Sequence, residues 1–381
     1  MNRFQFGRPP CRGISHLVRI SVLTGINSTG RRKRRPEGWR PMGKAKKRNV
    51  TIRDVATAAD VAIGTVSRVL NDHQSVTKEV RERVLKTISA LGYQRNAIAQ
   101  SMRSTRTKMV ACAIRDFDIP GFASYVKAAE ATFRAAGYTF ILASTANAKS
   151  VELSLLQTFS QRRVDGVMMT MSDETDPDLV DAVTNAAMPI VLIDRELVQS
   201  VDSVSADHQS GARQATEYLL SLGHRRIALL VGDPKAYPSR SRIEGYTEAH
   251  RSSGVPIDPN LVRTRLLSNE ATFRETAALL GRDQRPTAIY AAGLDTLPGP
   301  LRAVRAAGLA VGQDISIISG NDSDLAELST PPITALRWDR SEMGRHAAEM
   351  LLDRIDQEKQ APPRRIRLPV SLVVRGSCRA I

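Results

Sequence analysis

Residues 51–71 read TIRDVATAADVAIGTVSRVLN, and residues 76–92 continue VTKEVRERVLKTISALG. Thr51 followed by Asp54 has the form of a capping box with an acidic third residue. Ile52, Val55, Ala56 and Ala59 then share one helical face. Asp60 marks a break, where a tight turn needs positive φ and Asp tolerates it better than most residues. A second helix begins near Ala62 or Ile63, with Val66, Val69 and Leu70 inward. Ile63, Gly64, Ser67, Arg68 and Asn71 fall on the opposite side. Thr77 caps a third helix whose apolar stripe is Val80, Val84, Ile88 and Leu91, and Gly92 stops it. Helices this short are unstable alone. Three of them around one small core, the second showing a small polar face with one long cation, form a helix-turn-helix head suited to a major groove.

The chain has 381 residues, room for two or three domains. A 25% charged and 42% hydrophobic composition is that of a largely globular protein. Aromatic residues are only 4%, so the core must rest on Ala, Val, Leu and Ile. The net charge of +16 favours a polyanionic partner. Residues 1–41 hold ten Lys or Arg against Glu37 alone, including RRKRR at 31–35. This segment shows no sustained periodicity, and MGKAKKRNVTIRDVA from Met42 reads as the start of the first folded unit. We therefore expect 1–48 to be a basic extension outside the fold. The run ISHLVRISVLTGI (14–26) is too short to span a bilayer and contains Arg19. Cys11, Cys112 and Cys378 have no metal-site spacing and suit a reducing cytoplasm.

From residue 108 the pattern changes. Apolar runs of strand length, MVACAI (109–114), YTFILAST (138–145), DGVMMT (165–170), PIVLID (189–194), RIALLVG (226–232), AIYAAG (288–293) and DISIISG (314–320), alternate with helical stretches. Such alternation implies parallel sheets covered on both faces. The strands are too many for one sheet, so two doubly wound α/β lobes are expected, with ligands bound beyond the C-terminal strand ends. Asp194 and Arg195 follow one such strand, Asn321 follows another, and Phe122 lies after the first strand's loop.

TIRDVATAADVAIGTVSRVLN, the run to GYQRNAIAQSM and the plan of the remaining chain together resemble the LacI/GalR bacterial transcription regulators over about residues 49–381. The resemblance implies a DNA-binding head (49–95), a hinge helix and linker (96–107), and an effector-binding and dimerisation domain (108–381) built like a type I periplasmic binding protein. Its lobes would be 108–207 with 338–362, and 208–337 with 363–381. Thr51, Ser67, Asn71, Thr77, Tyr93 and Asn96 would then hold phosphates. Ile63, Gly64, Thr65 and Arg68 would lie against the major groove, and Ala99, Gln100 and Met102 in the hinge helix. The effector would meet Phe122, Asp194, Arg195, Arg242 and Asn321.

Departures from the family pattern matter. Ala62 replaces a capping Ser, and Gly64 offers no side chain. Base reading then rests on Arg68, which can pair bidentately with guanine, and on Ile63, which can touch a thymine methyl. Met102 replaces the Leu that wedges between base pairs. Gly121 removes an aromatic wall, and Gly293 and Leu294 stand where Asn is common. Two arginines, Arg195 and Arg242, suit an acidic sugar or sugar phosphate.

No GxxxxGK[ST], HExxH, GxSxG or strand-following GxGxxG occurs, and the six histidines lack metal spacing. His208 and His224 read as caps or surface groups. The expected protein is not an enzyme and needs no cofactor. It is a cytoplasmic, nucleoid-associated homodimeric repressor whose partners are an operator duplex and a sugar or sugar-acid effector, with no membrane. Two other classes remain. A small-molecule binding protein would have no use for residues 51–103, and a nonspecific basic DNA coater would bind with steep salt dependence and no sequence preference.

Overall fold

The computed structural model describes residues 50–93, 106–118, 121–197, 201–293, 296–356 and 361–381. Asn96, Ala99, Gln100 and Met102, the basic extension and Leu294 lie outside them. The chain divides into two compact units, 1–95 and 96–381.

The first unit contains α1 (Ile52–Ala58), α2 (Ile63–Leu70) and α3 (Lys78–Leu91). The capping box forms: the Thr51 hydroxyl accepts from the Asp54 amide, and the Thr51 amide donates to Asp54 Oδ2 at 2.7 Å. Asp60 takes φ 49° at the turn, and Gly92 takes φ 62° as the stop of α3. Val55, Ala56, Ala59, Val66, Val69 and Val84 form the buried core. At two points the head differs from the sequence reading. Thr77 occupies the cap position of α3 without a side-chain cap bond. Leu91 is 37% exposed, because the stripe of a last turn runs past the end of the two short helices it would pack against.

The second unit holds two six-stranded sheets. Strands β1 (Met109–Ile114), β2 (Thr139–Ser144), β3 (Gly166–Met169), β4 (Ile190–Ile193) and β5 (Asp202–Ala206) alternate with α4 (Phe122–Ala135), α5 (Lys149–Gln161) and α6 (Pro177–Thr184). The chain then crosses to α7 (His208–Ser221), β6 (Ile227–Leu230), α8 (Tyr237–Ser252), β7 (Val262–Arg263), α9 (Asn269–Leu280), β8 (Ala288–Ala291), α10 (Pro298–Ala306), β9 (Ser316–Ser319), α11 (Asp324–Leu328) and β10 (Thr334–Arg337). Helix α12 (Arg340–Asp356) returns to pack on α4, β3, β4 and β5. Finally come β11 (Arg365–Leu368) and β12 (Ser371–Val373). The first sheet runs β11-β5-β4-β3-β1-β2, all parallel. The second runs β12-β10-β9-β8-β6-β7.

The closing segment departs from expectation. The family plan assigns 363–381, with RRIRLPVSLVVRGS, to lobe two, but this segment supplies one strand to each sheet. β11 pairs with β5 in the first lobe, and β12 pairs with β10 in the second. The last crossing therefore falls at Pro369 and Val370, not at residue 363, since Pro369 cannot donate to a ladder. β12 is antiparallel, so the second sheet is not purely parallel. Strand β5 escaped the sequence reading because DSVSA lacks a run of apolar residues, yet all five are buried. Asp202 is made tolerable there by Arg354, whose Nε and Nη2 each reach it at 2.8 Å, and by the Arg364 amide at 2.7 Å.

With few aromatics, tight helix contacts carry the packing. A Cβ on Gly344 of α12 would lie 2.0 Å from the Tyr125 carbonyl oxygen on α4, and one on Gly245 of α8 would lie 2.1 Å from the Gln209 carbonyl oxygen on α7. Backbone cannot yield to that, so Gly344→Ala should lower unfolding free energy by about 3 kcal/mol or more. Urea unfolding of the two proteins measures it, and an unchanged midpoint would contradict this packing.

Candidate functional site

In the head, α2 turns Val66 and Val69 into the core. Its other face leaves Ile63 40% exposed, with Gly64, Arg68 and Asn71 also exposed and Thr65 and Ser67 half-buried. Thr51 and Thr77, at the starts of α1 and α3, are exposed, and Tyr93 is half-buried. Ala62 makes no side-chain cap. The first turn of α2 therefore offers amide N–H groups to an anion, followed by one long cation. A space of this shape, with an isoleucine, a bare glycine and an arginine, matches the chemistry of a base-reading helix.

In the second unit, the ends of the strands in both sheets converge on a cleft. It has two joined compartments, of about 600 Å³ and about 460 Å³, that share Arg115 and Arg195. The first is polar: Asn147, Ser172, Asp233, Ser239 and Arg242 line it. The second is walled by Phe122, Tyr125, Trp338 and Met343, with Asp194 and Arg340. Arg115 directly follows β1, Asp194 and Arg195 follow β4, Asp233 lies three residues past β6, and Gly293 two past β8. These are the carboxyl ends of parallel strands, where side chains can point into a crevice without blocking a ladder. Phe122 opens α4 and meets Tyr125 edge-on at 5.4 Å.

Asp194 is the buried centre. Its backbone is left-handed, φ 52°, a conformation Asp adopts more readily than most residues. His208 Nε2 lies 2.7 Å from Asp194 Oδ1, and the Ala206 amide donates to the same oxygen at 3.3 Å. A carboxylate only accepts, so the imidazole presents its Nε2–H. His208 is therefore neither a cap nor a surface group: as the first residue of α7 it is carried under the cleft floor. His224 is likewise buried, between Thr287 and Ser316 hydroxyls at 2.9 Å. Burial would raise the Asp194 carboxyl, but His208, Arg242 and Arg195 outweigh it and hold the group at about 2. The same burial, helped by the two arginines, pushes His208 below its ordinary value, against the pull of Asp194.

Arg195 is oriented by the carbonyls of Met171 at 2.6 Å and Asp194 at 2.7 Å. Arg242 is 2% exposed, and its Nε and Nη2 have no hydrogen-bond partner among the described residues. Arg340 lies over the Trp338 ring at 4.6 Å and gives one bond, from Nη1 to the Asp322 carbonyl at 3.4 Å. Its Nε and Nη2 also lack partners there. Asn321 is placed differently from the other four expected residues: it is buried past β9, with its amide on Ser319 Oγ, and lines neither compartment. Sequence reading overlooked Arg115 and Arg340. The first stands directly after MVACAI and was legible by the strand-end rule. The second opens a helix and carried no such signal.

On one lip the two lobes are tied. Glu174, from the loop after β3, accepts from the Tyr237 amide at 3.1 Å and from Arg240 Nη2 at 2.8 Å. Asp173 holds Lys235 at 2.6 Å. Glu174 also lies 3.8 Å from Arg195, so one carboxylate touches both the tie and the cleft.

The Asp194 carboxyl sits below its ordinary 3.8, so its contribution is present above that value and is lost as pH falls through about 2. Asp194→Asn should then cost about 2 kcal/mol at pH 7, shrinking toward zero between roughly pH 4 and pH 2. Urea unfolding across that range measures it, and a difference independent of pH would contradict an ionised Asp194.

Known proteins fit this arrangement. Residues 51–96 match the family model for bacterial regulatory proteins of the lacI family, and residues 216–378 match the periplasmic binding protein-like domain. The transcriptional regulator DegA of Bacillus subtilis is 32% identical over 332 residues, covering 86% of this chain and 97% of its own. The transcriptional repressor PurR of Haemophilus influenzae is 28% identical, with 87% and 99% covered. Among solved structures, the regulator CelR in complex with cellobiose is 32% identical with TM-score 0.66, covering 86% and 99%. The Lac repressor dimer bound to operator and the anti-inducer ONPF is 27% identical with TM-score 0.77, covering 87% and 100%. The shared head, the shared lobes and these full-length likenesses have one meaning: the chain belongs to the LacI family of bacterial transcriptional regulators.

Proposed function

We propose that this regulator is a homodimeric repressor that reads a pseudo-palindromic operator and changes its grip when a sugar or sugar acid enters the cleft. The observation that carries it is the outer face of α2, which is exposed and presents Ile63, Gly64 and one arginine; a second is the cleft of the other unit, whose buried Arg242 has Nε and Nη2 without a hydrogen-bond partner among the described residues. In this reading Ile63, Gly64, Thr65 and Arg68 meet the groove. Thr51, Ser67, Asn71, Thr77, Tyr93 and Asn96 hold phosphates, and Ala99, Gln100 and Met102 belong to the hinge that enters the minor groove. Phe122, Asp194, Arg195 and Arg242 are assigned to the effector site.

Dimerisation is supported by the Lac repressor likeness and by apolar side chains left uncovered in this chain. Ile141 is 36% and Leu142 40% exposed on the edge strand β2, and Leu328 on α11 is 80% exposed. Two heads would then sit on half-sites about 34–36 Å apart, or closer on bent DNA. Ligand acts by favouring one lobe arrangement over the other, with a coupling free energy of about 1–3 kcal/mol. No helix among the described residues is long and apolar enough to cross a membrane.

Selection of binding sites from random duplex DNA at physiological salt, with chain starting at Met42, tests the reading. One recovered palindrome supports it, and recovery of unselected sequence at every salt concentration contradicts it. Arg68→Ala should weaken binding to the selected site by about 1–3 kcal/mol and relax the preference at one base pair per half-site. Competition against single-base variants measures this, and equal loss on all sequences would make Arg68 a phosphate contact.

A further inference from the structure

Resting on the reading above, we infer that the effector is acidic: a sugar acid or sugar phosphate whose anionic group is held between Arg195 of one lobe and Arg242 of the other. A neutral sugar presents hydroxyls, each of which both donates and accepts, so a site built for it needs acceptors as well as donors. Among the described residues the cleft has acceptors in Asp194, Asp233 and Asn147, but its unsatisfied buried atoms are mostly donors. The buried lining atoms without a partner are Nε and Nη2 of Arg242, Nε and Nη2 of Arg340, and the Tyr125 hydroxyl. Four of the five are guanidinium donors, which have no accepting capacity.

The charges point the same way. Four arginines (115, 195, 242 and 340) line the two compartments, against Asp194 and Asp233. Asp194 spends Oδ1 on His208, and Glu174, behind Arg195, is engaged by Arg240. Asp194 offsets the Arg242 charge only through space, so a 2% exposed Arg242 with Nε and Nη2 unpartnered among the described residues marks a place for ligand acceptors, which an anion fills best. Burial depresses its guanidinium from the ordinary value, and Tyr290 and Asp194 only partly offset that.

The compartments also divide the ligand. The acid group fits the polar one, where Ser239 adds a hydroxyl donor beside the arginines, the Ser172 hydroxyl being donated to Glu152 at 2.9 Å. The ring fits the second, against Phe122 and Trp338, with Asp194 as the acceptor for a ring hydroxyl. An anion bridging Arg195 and Arg242 draws the lobes together at the lip where Glu174 already ties them. Carboxylate and phosphate share this chemistry, and both arms are tested.

Calorimetric titration of the full chain with D-glucose, D-gluconate, D-glucuronate and D-glucose 6-phosphate decides the matter. At least one acidic sugar should bind at least about 100-fold more tightly than glucose. That binding should fall at least about tenfold in Arg195→Gln and in Arg242→Gln, each compared at a urea midpoint showing that the variant is folded. A phosphate-only or carboxylate-only response identifies the group. Glucose binding as tightly as every acid overturns the inference while leaving the regulator reading intact, because operator selection is scored separately. No saturable binding by any acid up to about 10 mM overturns it as well.

Discussion

A buried carboxylate shared between two lobes is the constraint on which the effector unit depends. Asp194 ends β4 in the first lobe, and His208, its partner at 2.7 Å, begins α7 in the second. Arg242, on α8 of the second lobe, and Arg195, beside Asp194, help keep the carboxylate ionised. Neither lobe can turn against the other without disturbing a largely buried charge. Such a group is costly unless fully engaged, so the lobes have few arrangements that satisfy it. That is the condition for a switch: discrete states, each with its own set of partners.

The lip around Glu174 adds a second tie between the lobes. Its carboxylate meets the start of α8 on one side and approaches Arg195 on the other. Burial raises the Glu174 carboxyl, with Arg195, Arg240 and the Tyr237 amide opposing. A ligand that engages Arg195 therefore alters the surroundings of the residue that closes the lip. Cleft and lobe arrangement are linked through shared charges, without a chain of intermediates.

Much of this was legible beforehand. The head followed from three local signals, Thr51 with Asp54, Asp60 and Gly92, each of which fixes backbone geometry on its own. Seven strands were visible as Val, Ile and Leu runs. What escaped was governed by distant partners. β5 is polar in sequence and is buried because Arg354, on a helix 152 residues later, neutralises Asp202. Nothing local in segment 364–377 says that its halves join different sheets. His208 read as a cap, since only the three-dimensional crossing brings it under Asp194. Of the five residues expected at the effector site, Phe122, Asp194, Arg195 and Arg242 line the cleft, whereas Asn321 is buried outside both compartments. Arg340 was invisible because its place depends on the return of α12 to the first lobe.

The central claim is that cleft and operator share one equilibrium. Its most direct test is reciprocal binding. Operator affinity is measured by fluorescence anisotropy with and without saturating effector, and effector affinity by calorimetry on free and operator-bound protein. Linkage requires the two ratios to be equal, and the account predicts a common factor of about 5–150. Operator affinity unchanged by an effector that demonstrably fills the cleft would contradict it.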